Sequence, residues 1–221
     1  MPEQRRKQKN SAVKLTILFT GIYALITQQV LANSWIRRLD EWIYDRSFLL
    51  VASNETPTLV ILIDDLGLRW VTSAILLITA ILISKRFNSW RPVSLSLLAL
   101  FLLNLTVGAS KLLFGRTKPS TGYDLFFTDS GLSYPSGHAA NAVLTWGMLA
   151  YLIFRYSHKE PFEGMRLTWF VSIVTIGVCL ASLYRNTHWF SDLLGGLFIG
   201  SALLVAVIAI DRSITSDRQP S

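Results

Sequence analysis

Trp189–Ile210 reads WFSDLLGGLFIGSALLVAVIAI, a stretch in which Asp192 is the single charge. A helix that crosses a bilayer needs about 20 mostly apolar residues, because hydrocarbon offers no partner to backbone N–H and C=O groups. This stretch meets both conditions and decides the fold class. Working outward, Leu15–Ala32, Leu66–Ile83, Val93–Phe114, Gly137–Phe154 and Leu167–Tyr184 have the same character. The expected architecture is therefore all-α, an integral membrane bundle of six transmembrane helices. The composition points the same way. Of 221 residues, 51% are hydrophobic and 16% charged, with a mean hydropathy of +0.41. A soluble domain carries about a quarter charged residues, so the deficit argues against a soluble enzyme and against a disordered chain. The net charge of +7 then belongs to basic loops beside a membrane rather than to a nucleic-acid partner. The one cysteine, Cys179, sits in an apolar run and offers neither a disulfide framework nor a Cys-based metal site.

Three regions follow: a basic cytoplasmic N-terminus over 1–12, the six-helix membrane domain over 13–211, and a polar cytoplasmic tail over 212–221. Arg5, Arg6, Lys7 and Lys9 ahead of the first apolar stretch hold the N-terminus inside. The same stretch has an alternative reading as a cleaved signal ending at Val30-Leu31-Ala32. With the N-terminus inside, thirteen cations fall on inner segments and eight on outer ones, which favours this orientation. Between the first two spans, Trp35, Ile36, Leu39, Trp42 and Ile43 recur at helical spacing, with Arg37, Arg38, Asp40, Glu41 and Asp45 opposite. That pattern predicts an amphipathic helix, either lying in the outer interface or capping the bundle.

Charges beside membrane spans are costly unless paired or functional. Three clusters fall on the predicted outer side. Lys111, Arg116 and Lys118 precede Pro119 at the end of the third span. Tyr134-Pro135-Ser136-Gly137-His138 opens the fourth, placing Ser136 near the N-cap, where free N–H groups suit an anion. Tyr184-Arg185-Asn186-Thr187-His188-Trp189-Phe190-Ser191-Asp192 joins the fifth span to the sixth, with His188 and Asp192 one helical turn apart. An Asp on one ring nitrogen orients the other for nucleophilic or base chemistry. Two histidines, several cations and a helix N-terminus make a phosphoryl-transfer site without a metal: one imidazole attacks phosphorus, and the other protonates the leaving alkoxide. The carboxylates Asp40-Glu41 and Asp64-Asp65 lie outside all three clusters in sequence, so no Mg²⁺ site and no cofactor are expected. His158, beside Lys159 and Glu160, reads as a solvated loop residue.

Taken in order, the clusters resemble the signature of the type 2 phosphatidic acid phosphatase superfamily of membrane lipid phosphatases. That signature runs K-x6-R-P, P-S-G-H, then S-R-x5-H-x3-D. The likeness spans Lys111–Asp192. The resemblance implies that His188 is the nucleophile forming a phospho-histidine, Asp192 its orienter and His138 the general acid. It also implies that Lys111, Lys118, Ser136 and Gly137 bind phosphate, with Arg116 as a neighbouring contributor. Two positions depart from the pattern. Lys118 stands where the family has Arg, which keeps the charge but loses the bidentate fork. Ala181-Ser182 stands where Ser-Arg is expected, and Arg185, three residues on and on nearly the same helix face, is the expected substitute. The catalytic pattern also resembles that of vanadate-dependent haloperoxidases, which are soluble and do not fit six apolar spans.

The resemblance implies an outer-face membrane phosphatase acting on a lipid phosphate or diphosphate in the plasma membrane of a bacterium. Its candidate substrates are a polyprenyl diphosphate such as undecaprenyl diphosphate, which the resemblance favours for a small single-domain member, then phosphatidylglycerol phosphate, phosphatidic acid or a phosphorylated glycolipid. Two alternatives stand beside it. One is a phosphotransferase using the same phospho-histidine; the other is a weakened lipid-phosphate-binding protein, supported by Ser182. The expected partners are the lipid substrate and membrane lipids.

Overall fold

The computed structural model describes residues 2–50, 56–119, 132–156 and 161–214. Among them the regular structure is helical: α1 (Pro2–Leu31), α2 (Trp35–Leu50), α3 (Thr58–Asp65), α4 (Arg69–Phe87), α5 (Arg91–Phe114), α6 (Gly137–Tyr156), α7 (Pro161–Tyr184) and α8 (Phe190–Ser213). One isolated antiparallel bridge joins Thr117 to Leu132. Six of these helices, α1 and α4 to α8, are long and apolar enough to cross a bilayer. The chain is an integral membrane protein with the expected six-helix core. His158 and the tail beyond residue 214 lie outside the described residues.

Each spanning helix sorts its side chains by what surrounds it. On α5, Leu95, Ala99, Leu103 and Val107 recur every four residues and are buried, while Leu97, Phe101, Leu105 and Leu112 are exposed. In a bilayer the second stripe meets lipid, so both faces are apolar and no amphipathic signal separates them. Pro92 opens this helix and Gly115, at φ 55°, closes it in the left-handed conformation.

At the centre stands α6, with 67% of its spanning window buried. It packs on α8 through two glycines. A Cβ on Gly196 would collide with the Ser136 carbonyl oxygen, and one on Gly200 would sit 2.9 Å from the Ala140 carbonyl oxygen. Small residues let two membrane helices approach backbone to backbone. That approach brings the beginnings of α6 and α8 together.

The second span differs from expectation. The apolar run Leu66–Ile83 is not one helix: α3 ends at Asp65, Leu66–Leu68 turn, and α4 begins at Arg69. The turn is apolar because it packs against neighbouring helices, with Gly67 buried and Leu66 and Leu68 half-buried. Trp146 Nε1 donates to the Leu66 carbonyl at 2.9 Å. A Cβ on Gly67 would lie 2.7 Å from Val178 Cγ1 and 3.0 Å from His138 Cβ. The amphipathic helix α2 forms as expected, but it faces the bundle with Ile36 and Asp40 while Trp35 and Trp42 stay exposed. Asp40, allotted from sequence to the polar face, is therefore buried. The segment with the alternative reading as a cleavable signal is part of the bundle. Tyr23 donates to Ser110 Oγ at 2.9 Å, and Thr27 bonds the Tyr134 hydroxyl at 2.7 Å.

At the far end of the bundle, α5, α6 and α8 are tied through Asp211, whose side chain is fully buried. Arg91 Nε reaches its Oδ1 at 2.6 Å, and Arg155 Nη1 and the Tyr151 hydroxyl reach Oδ2 at 2.8 and 2.5 Å. Arg91 also donates to the Asp211 and Ile214 carbonyls.

Candidate active site

The three clusters converge where α5 ends and α6 and α8 begin. The Ser136 N–H donates to the Asp192 carbonyl at 2.9 Å, joining the start of α6 to that of α8. Ser136 caps α6, its Oγ accepting from the Ala139 N–H at 3.3 Å. This leaves Gly137 at the open first turn, where a Cβ would meet nothing within 4 Å. The bare helix N-terminus is thus reachable by an anion. His138 and His188 face each other with ring centroids 5.9 Å apart. Lys111, in the last turn of α5, donates to the Leu132 carbonyl at 2.5 Å. Lys111 and Lys118 both lie near enough to His188 for their charges to act on it.

His188 is buried, and burial is the main reason its pKa falls below the ordinary 6.5; Asp192 opposes the fall, and the two lysines add to it. A neutral imidazole at neutral pH is the form able to act as a nucleophile. Its Nδ1 stands 3.7 Å from Asp192 Oδ2 and has no hydrogen-bond partner. Asp192 is held by others: Oδ2 accepts the Trp189 N–H at 2.9 Å, and Oδ1 accepts Arg116 Nη1 at 2.7 Å. Catalytic hydrogen bonds are often long before substrate binds. Closing this gap needs a small turn of the imidazole.

Arg116 comes to the site, yet both of its terminal nitrogens are committed. Nη1 serves Asp192 and Ser191 Oγ, and Nη2 pairs with Asp40 Oδ2 at 2.7 Å. Arg116 stacks over the Trp189 ring, and its Nε has no partner. Asp40 accepts in addition from the Ser191 N–H and hydroxyl, at 2.8 and 2.6 Å. Burial pushes Asp40 above the usual carboxylate range, while Arg116 and Ser191 pull it back. Arg185 is likewise paired. Its Nη1 meets Asp64, which also accepts the Ser182 hydroxyl at 2.6 Å.

Two carboxylates placed outside the clusters by sequence distance, Asp40 and Asp64, are thus inside the site's network. That expectation is corrected. The reason is electrostatic: Arg116 and Arg185 beside apolar helices need buried counter-ions. Signals for both were present. Asp40 follows the buried Ile36 by one helical turn, and Asp64 ends the apolar run Leu59–Ile63. Among the described residues, no three His, Cys, Asp or Glu side chains group as a metal site requires.

The sequence profile of the PAP2 superfamily matches residues 92–215. Phosphatidylglycerophosphatase B of Bacillus subtilis (strain 168) is 28% identical over 94 residues, 41% of this chain and 45% of that protein; the chain spans less than half of that relative's length. The fold is shared with a crystal structure described as the first transmembrane PAP2-type phosphatidylglycerolphosphate phosphatase from Bacillus subtilis. The TM-score is 0.70 at 22% identity, over 94% of this chain and 98% of that one.

Proposed function

The chain belongs to the PAP2 superfamily, and from that premise we propose that it is a lipid phosphatase working through a phospho-histidine. The observation that carries this reading is the pairing of two imidazoles, 5.9 Å apart, across the open N-terminus of α6. In the proposed cycle His188 Nε2 attacks phosphorus as the P–O bond to the lipid breaks. His138 donates its proton to the leaving oxygen. Water, deprotonated by His138, then attacks the phospho-histidine and releases inorganic phosphate. Lys111, Lys118, Arg185, the Ser136 hydroxyl and the Gly137 N–H hold the phosphoryl oxygens as charge builds on them. Arg116 acts one step back, fixing Asp192 and through it His188, because Asp40, Ser191 and Asp192 occupy its terminal nitrogens.

The substrate class is a lipid phosphate monoester or diphosphate, its tail remaining among the helices. Phosphatidylglycerol phosphate leads, because the curated relative and the solved structure are both phosphatidylglycerophosphatases by name. Phosphatidic acid, undecaprenyl diphosphate and phosphorylated glycolipids complete the panel. The basic N-terminal residues support a site on the outer face of the membrane under the positive-inside rule.

The test is phosphate release by purified full-length protein in detergent from that panel, beside His188→Ala. Activity is expected to persist in EDTA and to be inhibited by vanadate, a five-coordinate mimic of phosphorus in transfer. Equal release by His188→Ala would sink the reading, and loss in EDTA restored by Mg²⁺ would overturn its metal-free form.

A further inference from the structure

At the end of the bundle opposite the histidines, α1 and α8 enclose a groove of about 580 Å³. Its rim carries Arg6, Lys9 and Arg212, and its wall carries Leu15, Val205 and Ile208. Among the described residues that line it, none is a carboxylate. The neighbouring Asp211 is engaged by Arg91, Arg155 and Tyr151. That engagement anchors the end of α8 and so fixes where Arg212 emerges, its guanidinium over the Tyr151 ring.

We propose that this groove is a binding site for an anionic phospholipid, separate from the catalytic site, in the leaflet facing that end of the bundle. Charge complementarity selects the head: a rim of three cations, with no carboxylate among the described lining residues, fits a phosphodiester that carries no cation of its own. A zwitterionic choline head would bring a positive charge to a positive rim. Arg6 to Leu15 and Val205 to Arg212 are separated by roughly 10–14 Å at the helical rise per residue. That length suits the upper part of an acyl chain lying below its headgroup. Basic pockets between membrane helices bind anionic headgroups for this reason. Free phosphate would use the rim alone and gain nothing from the wall, so the lipid is the occupant. Binding bridges α1 to α8 at the end far from their contact with Tyr134, and the site requires nothing of the phosphatase reading.

The test is native mass spectrometry of the full chain in detergent, with phosphatidylglycerol and phosphatidylcholine offered equally. Wild type and His188→Ala should each retain phosphatidylglycerol several-fold over phosphatidylcholine. The combined variant Arg6→Gln, Lys9→Gln, Arg212→Gln should retain the two equally. No preference in wild type, an unchanged preference in the combined variant, or equal displacement by millimolar inorganic phosphate would overturn the proposal. A second measurement stands if that variant fails to fold: wild type labelled by phosphatidylglycerol bearing a photoreactive acyl chain. Label in residues 6–15 and 205–213 supports the site; label confined to the neighbourhood of His188 overturns it. Absence of phosphatase activity would leave both readouts intact, so the two readings fail separately.

Discussion

His188 is a buried imidazole held neutral largely by desolvation, and this sets its pH behaviour. The nucleophile is the unprotonated ring, so activity is lost as pH falls through its pKa in the folded protein. Because that pKa is lowered from 6.5, the acid limb of kcat should lie below 6.5. An acid limb above that value in a pH–rate profile would contradict the proposed role. Arg185 is the second decisive residue. Asp64 fixes one of its terminal nitrogens, and the side chain remains 31% exposed, leaving the rest of the fork for phosphate. Arg185→Ala should cut turnover by about 10²–10³-fold, the usual cost of a lost transition-state donor. Arg185→Lys should rescue poorly, since an ammonium cannot make two parallel bonds. Turnover within about twofold of wild type for Arg185→Ala, beside an inactive His188→Ala control, would mean that it merely anchors the helix. Sequence brought out Lys111, His138, His188 and Asp192 as candidates, His188 and Asp192 through their one-turn spacing and the other two through the ordered motifs. Asp40 and Asp64 were not legible as site residues. Their partners are 76 and 121 positions away, and only tertiary packing brings them together.

At the scale of elements, two glycines beside the start of α6 call for opposite outcomes. Gly196 stands where a Cβ would strike the Ser136 carbonyl, part of the backbone that builds the phosphate end of α6. Gly196→Ala should force the helices apart, destabilising the protein by about 1–3 kcal/mol as overpacking does and lowering activity with it. Gly137 has open space, so Gly137→Ala should leave thermal unfolding in detergent unchanged. It should instead raise KM and weaken vanadate inhibition, because the added methyl occupies the approach to the helix N–H groups. Unchanged KM and inhibition would place the anion elsewhere. The number of spanning helices was readable from length and hydropathy alone. The break at Leu66–Leu68 was not, because a turn buried under Trp146 and Val178 is as apolar as a helix in lipid. For the same reason the buried face of α2 escaped prediction: an ion pair with Arg116 allows a carboxylate where periodicity expects an aliphatic side chain.

Across the whole molecule, charge is gathered at both ends of an apolar bundle, and the two gatherings differ in kind. The far end is a tie: Asp211 of α8 serves Arg91 from α5 and Arg155 and Tyr151 from α6. Asp211→Asn should lower stability by about 1.5–3 kcal/mol, the scale of a hydrogen bond to a charged group. Turnover per folded molecule should not change, since the histidines lie at the opposite end. A kinetic defect at full stability would show that the ends communicate.

The matched family region begins at residue 92, whereas Asp40 and Asp64 precede it. The portion that looks like the enzyme therefore lacks two of the anions on which its arginines rest. It is not a portable cassette. Grafted onto another leader, or expressed from residue 92 onward, it would carry every signature residue and still leave Arg116 without Asp40 and Arg185 without Asp64. The matched region and the ion-pair network around it have different boundaries in this chain, and the network includes helices that carry no motif at all.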